Sequence, residues 1–129
     1  MKRYHDLRSV GKSIYNEYND CAVISFANVT GIYYSEAYEI AESYGRKHRR
    51  AMNNNKLRRM YLDYGLVSEP WTSFLNKTGG KRSLKTIGQA FPKGNYIVLV
   101  RGHASSMIDG EIDDWAYGTK KVVKEVWRF

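Results

Sequence analysis

A chain of 129 residues, 43% hydrophobic and 26% charged, has the length and balance of one globular domain, 1–129, and is too apolar for intrinsic disorder. Its lone cysteine, Cys21, excludes an internal disulfide and a Cys/His zinc staple, and no sequence feature asks for a cofactor. The formal charge of +8 makes an acidic partner the natural one.

The start, MKRYHDLRSVGK, is basic and leads into no apolar signal segment, and no run approaches membrane-spanning length. A soluble protein of a reducing cytoplasm is expected. Residues 1–18 are polar with scattered aromatics and read as an arm crossing the surface. At Asn19-Asp20-Cys21 two residues of N-cap type precede AVISFANVTG, which is apolar on nearly all sides and stops at Gly31, a suitable C-terminal cap. A helix apolar all round is a buried helix, although the β-branched residues leave a buried strand as the alternative. Cys21 would sit in its first turn, where unpaired N–H groups and the positive end of the dipole favour a thiolate. Asp20 is expected to spend its carboxylate on those same backbone donors.

Residues 35–44 read as an amphipathic helix capped by Ser35, with Ala37, Ile40, Ala41 and Tyr44 inward and Gly45 ending it. The basic stretch GRKHRRAMNNNKLRR follows, its asparagines reading as loop. Arg46, Lys47, Arg49, Arg50, Lys56, Arg58 and Arg59 make it either a solvated face or a surface for nucleic acid or an acidic protein. A second helical piece covers 56–64. Residues 66–82, with Pro70, Gly79 and Gly80, read as an irregular surface excursion whose Trp71 and Phe74 cover the core or line a groove. A short helix is expected over 83–91, closed by Pro92.

Residues 96–100 form an apolar β-branched run that reads as a buried strand, and Asp109-Gly110 supplies a hairpin turn. With those two as the loop, Met107 faces Ile112, Ser105 faces Asp114 and His103 faces Ala116. Asp114 is then diagonal to His103 on one face, and Asp113 turns to the other. A one-residue bulge would exchange the two aspartates. KKVVKEVWRF reads as a closing strand. Helices first and antiparallel strands last is the α+β order.

A cysteine at a helix start, a histidine on a later strand and a carboxylate just after it supply a nucleophile, a base and a group to orient the base. A helix-start N–H and one side-chain amide would bind the oxyanion.

The stretches NDCAVISFANVTG and TIGQAFPKGNYIVLVRGHASSMIDG, with the IDDW that follows, resemble the papain-like cysteine peptidases, whose chain order is Cys, His, then Asn or Asp. Within that superfamily the chain looks most like short phage-encoded proteins sharing NDC near the N-terminus. The resemblance covers about half the chain, and GHxxxxxDG is its most specific part. It implies a papain-like α+β fold with N-terminal helices, a buried central helix and a small C-terminal antiparallel sheet. It further implies Cys21 as nucleophile, His103 as base and Asp114 as the orienting residue, with Asp113 in reserve. Papain-like enzymes place an oxyanion Gln six positions before the Cys, where this chain has Tyr15, so Asn19 or Asn16 is the expected substitute. The usual second domain is missing or reduced, so the cleft is shallow or built from residues 66–82. The expected activity is cleavage or transfer at an amide or isopeptide bond of a protein or peptide. The rivals are an inactive papain-like phage protein that binds and inhibits a host protein, and a basic nucleic-acid-binding protein.

Overall fold

The computed structural model describes residues 3–129. Four helices come first: α1 (Tyr4–Ser13), α2 (Cys21–Thr30), α3 (Tyr34–Ser43) and α4 (Asn54–Asp63). Five strands follow, β1 (Val67–Ser68), β2 (Asn95–Val100), β3 (His103–Ile108), β4 (Glu111–Ile112) and β5 (Val123–Arg128). They pair antiparallel in the order β1-β5-β2-β3-β4, so the closing strand lies inside the sheet, between β1 and β2. The arrangement is α+β, and among the described residues no helix is long and apolar enough to cross a membrane.

The central element is α2. Residues 22–29 are all buried, as its largely apolar character requires, and Gly31 ends it in the left-handed region (φ 79°), donating its N–H to the Ala27 carbonyl at 2.9 Å. One polar side chain in its buried stretch is anchored on the sheet: Asn28 Nδ2 donates to Ser106 Oγ at 2.8 Å and to Asp113 Oδ2 at 2.9 Å. The helix is thereby pinned to β3 by satisfied polar contacts as well as by apolar burial.

Strand alternation explains why 96–100 is apolar throughout. Ile97 and Leu99 face the helices, in a core with Val23, Phe26, Ala27, Tyr61 and Trp127. Tyr96, Val98 and Val100 face the other way, into a second core with Phe74, Leu84, Ile87, Met107 and Val126. Residues 66–82 run largely over the surface, and Phe74 from that stretch, with Leu84, Ile87 and Phe91 after it, covers the second face of the sheet. Phe74 is buried there, while Trp71 is exposed.

Two expectations need correction. Residues within 1–18 do not form an arm: α1 is a helix whose Tyr4, Leu7, Arg8 and Gly11 share one face at i, i+3, i+4 and i+7, with Asp6 in its first turn and Lys12 in its last. Residues 83–91 hold no α-helix, only the 3₁₀ turn Ile87–Gln89. The start of the segment pairs with the chain before β5 instead, the Leu84 N–H on the Lys121 carbonyl at 2.9 Å, and Gly88 lies so close to the β3–β4 turn that a Cβ there would come 1.8 Å from the Gly110 carbonyl oxygen. Gly88→Ala must push the turn away, and a loss of about 1–3 kcal/mol in urea denaturation is expected. An unchanged denaturation midpoint would show that the two backbones are not in contact.

Candidate active site

Cys21 is the first residue of α2 and is half-buried. His103 opens β3, just after Gly102, whose positive φ of 73° makes the sharp turn from β2. Asp114 follows β4. The three side chains line one cleft of about 190 Å³, together with Tyr4, Arg8, Ile24 and Trp115. His103 Nε2 donates to Asp114 Oδ2 at 2.8 Å, and both side chains are nearly inaccessible to solvent. Because Nε2 is engaged, Nδ1 is the ring nitrogen left for the Cys21 thiol, which lines the same cleft.

Burial alone would discharge the imidazole. The Asp114 hydrogen bond, then the Cys21 hydrogen bond and charge, reverse that and raise its pKa from 6.5 to about 9. Trp115 packs its ring against His103, centroids 4.7 Å apart at 48°, covering the imidazole.

Asp114 reaches His103 by a geometry other than a diagonal across a long ladder. β3 and β4 share only two residue pairs, Met107–Ile112 and Ile108–Glu111. The chain then turns, with the Tyr117 N–H on the Asp114 carbonyl, and Asp114 Oδ1 accepts from the Ala116 N–H at 2.8 Å. Asp113, the reserve, points elsewhere: its carboxylate accepts from Asn28 and from the Tyr4 N–H at 3.2 Å, tying α1 to the hairpin. The pair Asp113 and Asp114 is thus divided between a structural tie and the histidine.

The comparisons with family models, curated proteins and solved structures return no match. The site's chemistry is therefore argued from its own atoms.

Of the two asparagines named for the oxyanion, one lines the cleft and one does not. Asn19 lines the cleft, but its side-chain N–H group is directed at the Arg49 carbonyl, 3.4 Å away. Asn16 does not line it, and its carbonyl accepts from Arg49 Nε at 2.9 Å. Tyr15 packs with Tyr34 and Tyr38. Nor does Asp20 cap α2 with its side chain; its Oδ2 accepts the Tyr34 hydroxyl at 2.8 Å. Residues 66–82 contribute nothing to the lining.

The cleft wall that the sequence did not disclose is α1. Tyr4 and Arg8, four apart and so on one face, both reach into it. Burial, and next the Asp114 charge, push the Tyr4 phenol above its ordinary range. The i, i+4 spacing of an aromatic and a cation was a visible signal once 4–13 is taken as helical.

The basic stretch is less available than its composition suggests. Arg46 is buried and bound to Glu17 through two hydrogen bonds of 2.8 and 3.1 Å, and Arg58 pairs with Glu125 at 3.1 Å. Lys47, Arg50, Lys56 and Arg59 remain exposed. Among the described residues no group of His, Cys, Asp and Glu is placed to hold a metal ion.

Proposed function

We propose that this chain is a papain-like cysteine peptidase, or a related thiol hydrolase or acyltransferase, acting on an amide or isopeptide bond of a protein or peptide. Its nearest kind would be the short phage-encoded proteins that its NDC and GHxxxxxDG stretches resemble. The observation that carries this reading is the joining of Cys21, His103 and Asp114 in one cleft, with His103 Nε2 on the carboxylate and Nδ1 left over for the thiol.

The steps follow from those roles. The Cys21 thiolate adds to the acyl carbon, forming a C–S bond while the carbonyl electrons move onto oxygen. His103, carrying the thiol's proton, delivers it to the departing amine as the C–N bond breaks, leaving a thioester. Neutral His103 then takes a proton from water, which adds to the thioester, and the collapse returns the thiol. An amine in place of that water would make the same site a transferase. Asp114 keeps the ring oriented and its charged form stable, without itself taking the proton. The cleft is small against the 300–1,000 Å³ usual for ligand pockets. It suits one side chain and a stretch of extended backbone.

Iodoacetamide is expected to alkylate Cys21 of the folded protein at neutral pH about tenfold faster than a free thiol peptide, since a cationic imidazole in the same cleft makes a thiol more reactive. Peptide mapping locates the label, and Cys21→Ala takes up none. Labelling that begins only after denaturation would remove the nucleophile and the proposal with it.

A further inference from the structure

The tetrahedral oxygen needs donors aimed at where charge develops. One is given by helix geometry: the Cys21 N–H lies in the first turn of α2, where backbone N–H groups have no intrahelical acceptor. Asn19, the asparagine in this cleft, directs a side-chain N–H at the Arg49 carbonyl 3.4 Å away. Arg8 sits in the same cleft with its side chain 34% exposed, and its Nη1, turned away from solvent, has no hydrogen-bond partner among the described residues. A buried guanidinium N–H without an acceptor is costly unless something accepts from it in the working state.

Its position is fixed from behind. Arg8 Nη1 lies 3.7 Å from Asp20 Oδ1, too far for a hydrogen bond but close enough for the charges to hold each other. Asp20 is the residue immediately before Cys21, and the Tyr34 hydroxyl anchors its other oxygen. Gly11 leaves room for this arrangement, because a Cβ there would come within 2.5 Å of Asp20 Oδ2. The cation is therefore held beside the first turn that carries the nucleophile, with one N–H unspent.

We infer that Arg8 is a catalytic residue of this site: its guanidinium, with the Cys21 backbone N–H, binds the oxyanion formed when the thiolate adds to an acyl carbon. The inference rests on the thiol acyl-transfer reading above. It assigns to a charged side chain of α1 the task that a neutral amide performs in the enzymes the sequence resembles. A guanidinium meets the full negative charge of the intermediate and loses its claim on it when the carbonyl re-forms, which is the differential binding that accelerates a step.

p-Nitrophenyl acetate tests this without knowledge of the natural substrate, and it carries no carboxylate for Arg8 to bind. The thiolate adds to the acetyl carbon and the C–O bond breaks with its electron pair, releasing p-nitrophenolate and leaving acetyl-Cys21. Release is read by absorbance and the acetyl group by mass. Iodoacetamide is run in parallel, because displacement of iodide at carbon builds no tetrahedral oxyanion.

Arg8→Met is expected to slow acetylation about 100-fold and to leave alkylation within about twofold, with Arg8→Gln, which keeps N–H donors, in between. Three results overturn the assignment. Acetylation of Arg8→Met at the wild-type rate would show that the guanidinium does not meet the oxyanion. Equal losses of acetylation and alkylation, in Arg8→Met and Arg8→Gln alike, would mean that Arg8 serves the thiol or the fold. A wild-type protein that is alkylated but not acetylated would sink the acyl-transfer reading itself, and this assignment with it.

Discussion

Glu17→Ala is expected to destabilise the protein by about 3–5 kcal/mol, the range found when one partner of a buried ion pair is removed. Out of the 5–15 kcal/mol that holds a typical domain folded, that is a large share. Glu17 and Arg46 have side chains that are 0% and 2% exposed. Besides the two guanidinium bonds, the Glu17 carboxylate accepts the Arg49 N–H at 3.0 Å. Removing it leaves a cation sealed away from water and a backbone donor unpaired. The same cluster fastens residues 15–17 to 46–49, through His48 Nε2 on the Tyr15 carbonyl and Arg49 Nε on that of Asn16. That strap leads directly into Cys21, so stability and site geometry are expected to fail together.

The double variant Glu17→Ala/Arg46→Met separates the causes. It removes the orphaned charge and should regain part of the loss in urea denaturation. A double variant no more stable than Glu17→Ala would mean that the stranded guanidinium is not what costs. Acid adds a second reading. Burial raises the Glu17 pKa, but the Arg46 hydrogen bonds and charge outweigh it and hold the carboxyl below its usual 4.5. A depressed folded pKa contributes stability that is present above 4.5 and lost as pH falls through the lower folded value. The wild type should weaken steeply in that acid range, and Glu17→Ala should lack this component.

What the sequence disclosed and what it hid divide along physical lines. α2 was legible because a largely apolar run between Asp20 and Gly31 calls for burial, and the Asp109-Gly110 turn fixed the β3–β4 register of Met107 on Ile112. α1 was hidden because its segment is polar and basic as a whole: its pattern is amphipathic, but Leu7 and Gly11 are buried with only the half-buried Tyr4 and Arg8 beside them. Its Gly11 reads locally as a helix breaker, whereas it is required by Asp20 and Tyr34 of other elements. The expected helix at 83–91 failed for the same kind of reason, since neither the Leu84 pairing with Lys121 nor the Gly88 contact with Gly110 leaves a local trace. Charge counting likewise placed Arg46 on a surface, because the acid that neutralises it lies 29 residues earlier. Long-range polar partners are what a periodicity cannot carry.

Asp114→Asn is expected to slow alkylation of Cys21 at pH 6 by 10- to 150-fold, corresponding to the roughly 1.5–3 kcal/mol that a hydrogen bond to a charged group is worth. Burial pulls the His103 pKa down, and what holds it at about 9 is first the Asp114 hydrogen bond. With the carboxylate neutralised, burial prevails, the ring discharges near neutrality, and the thiol loses the cation that stabilises its anion. The wild type should keep the benefit of the charged ring across pH 6–8, and Asp114→Asn should lose it within that range, so the two rate profiles diverge. Stability must move in step with this. A histidine whose folded pKa is raised contributes stability that is complete below 6.5 and lost as pH rises through about 9. Wild-type denaturation midpoints should therefore fall across pH 6.5–9, and those of Asp114→Asn should not. Parallel alkylation profiles for the two proteins would mean that the carboxylate does not govern the ring, and His103 would then have no means of keeping its proton beside the thiol.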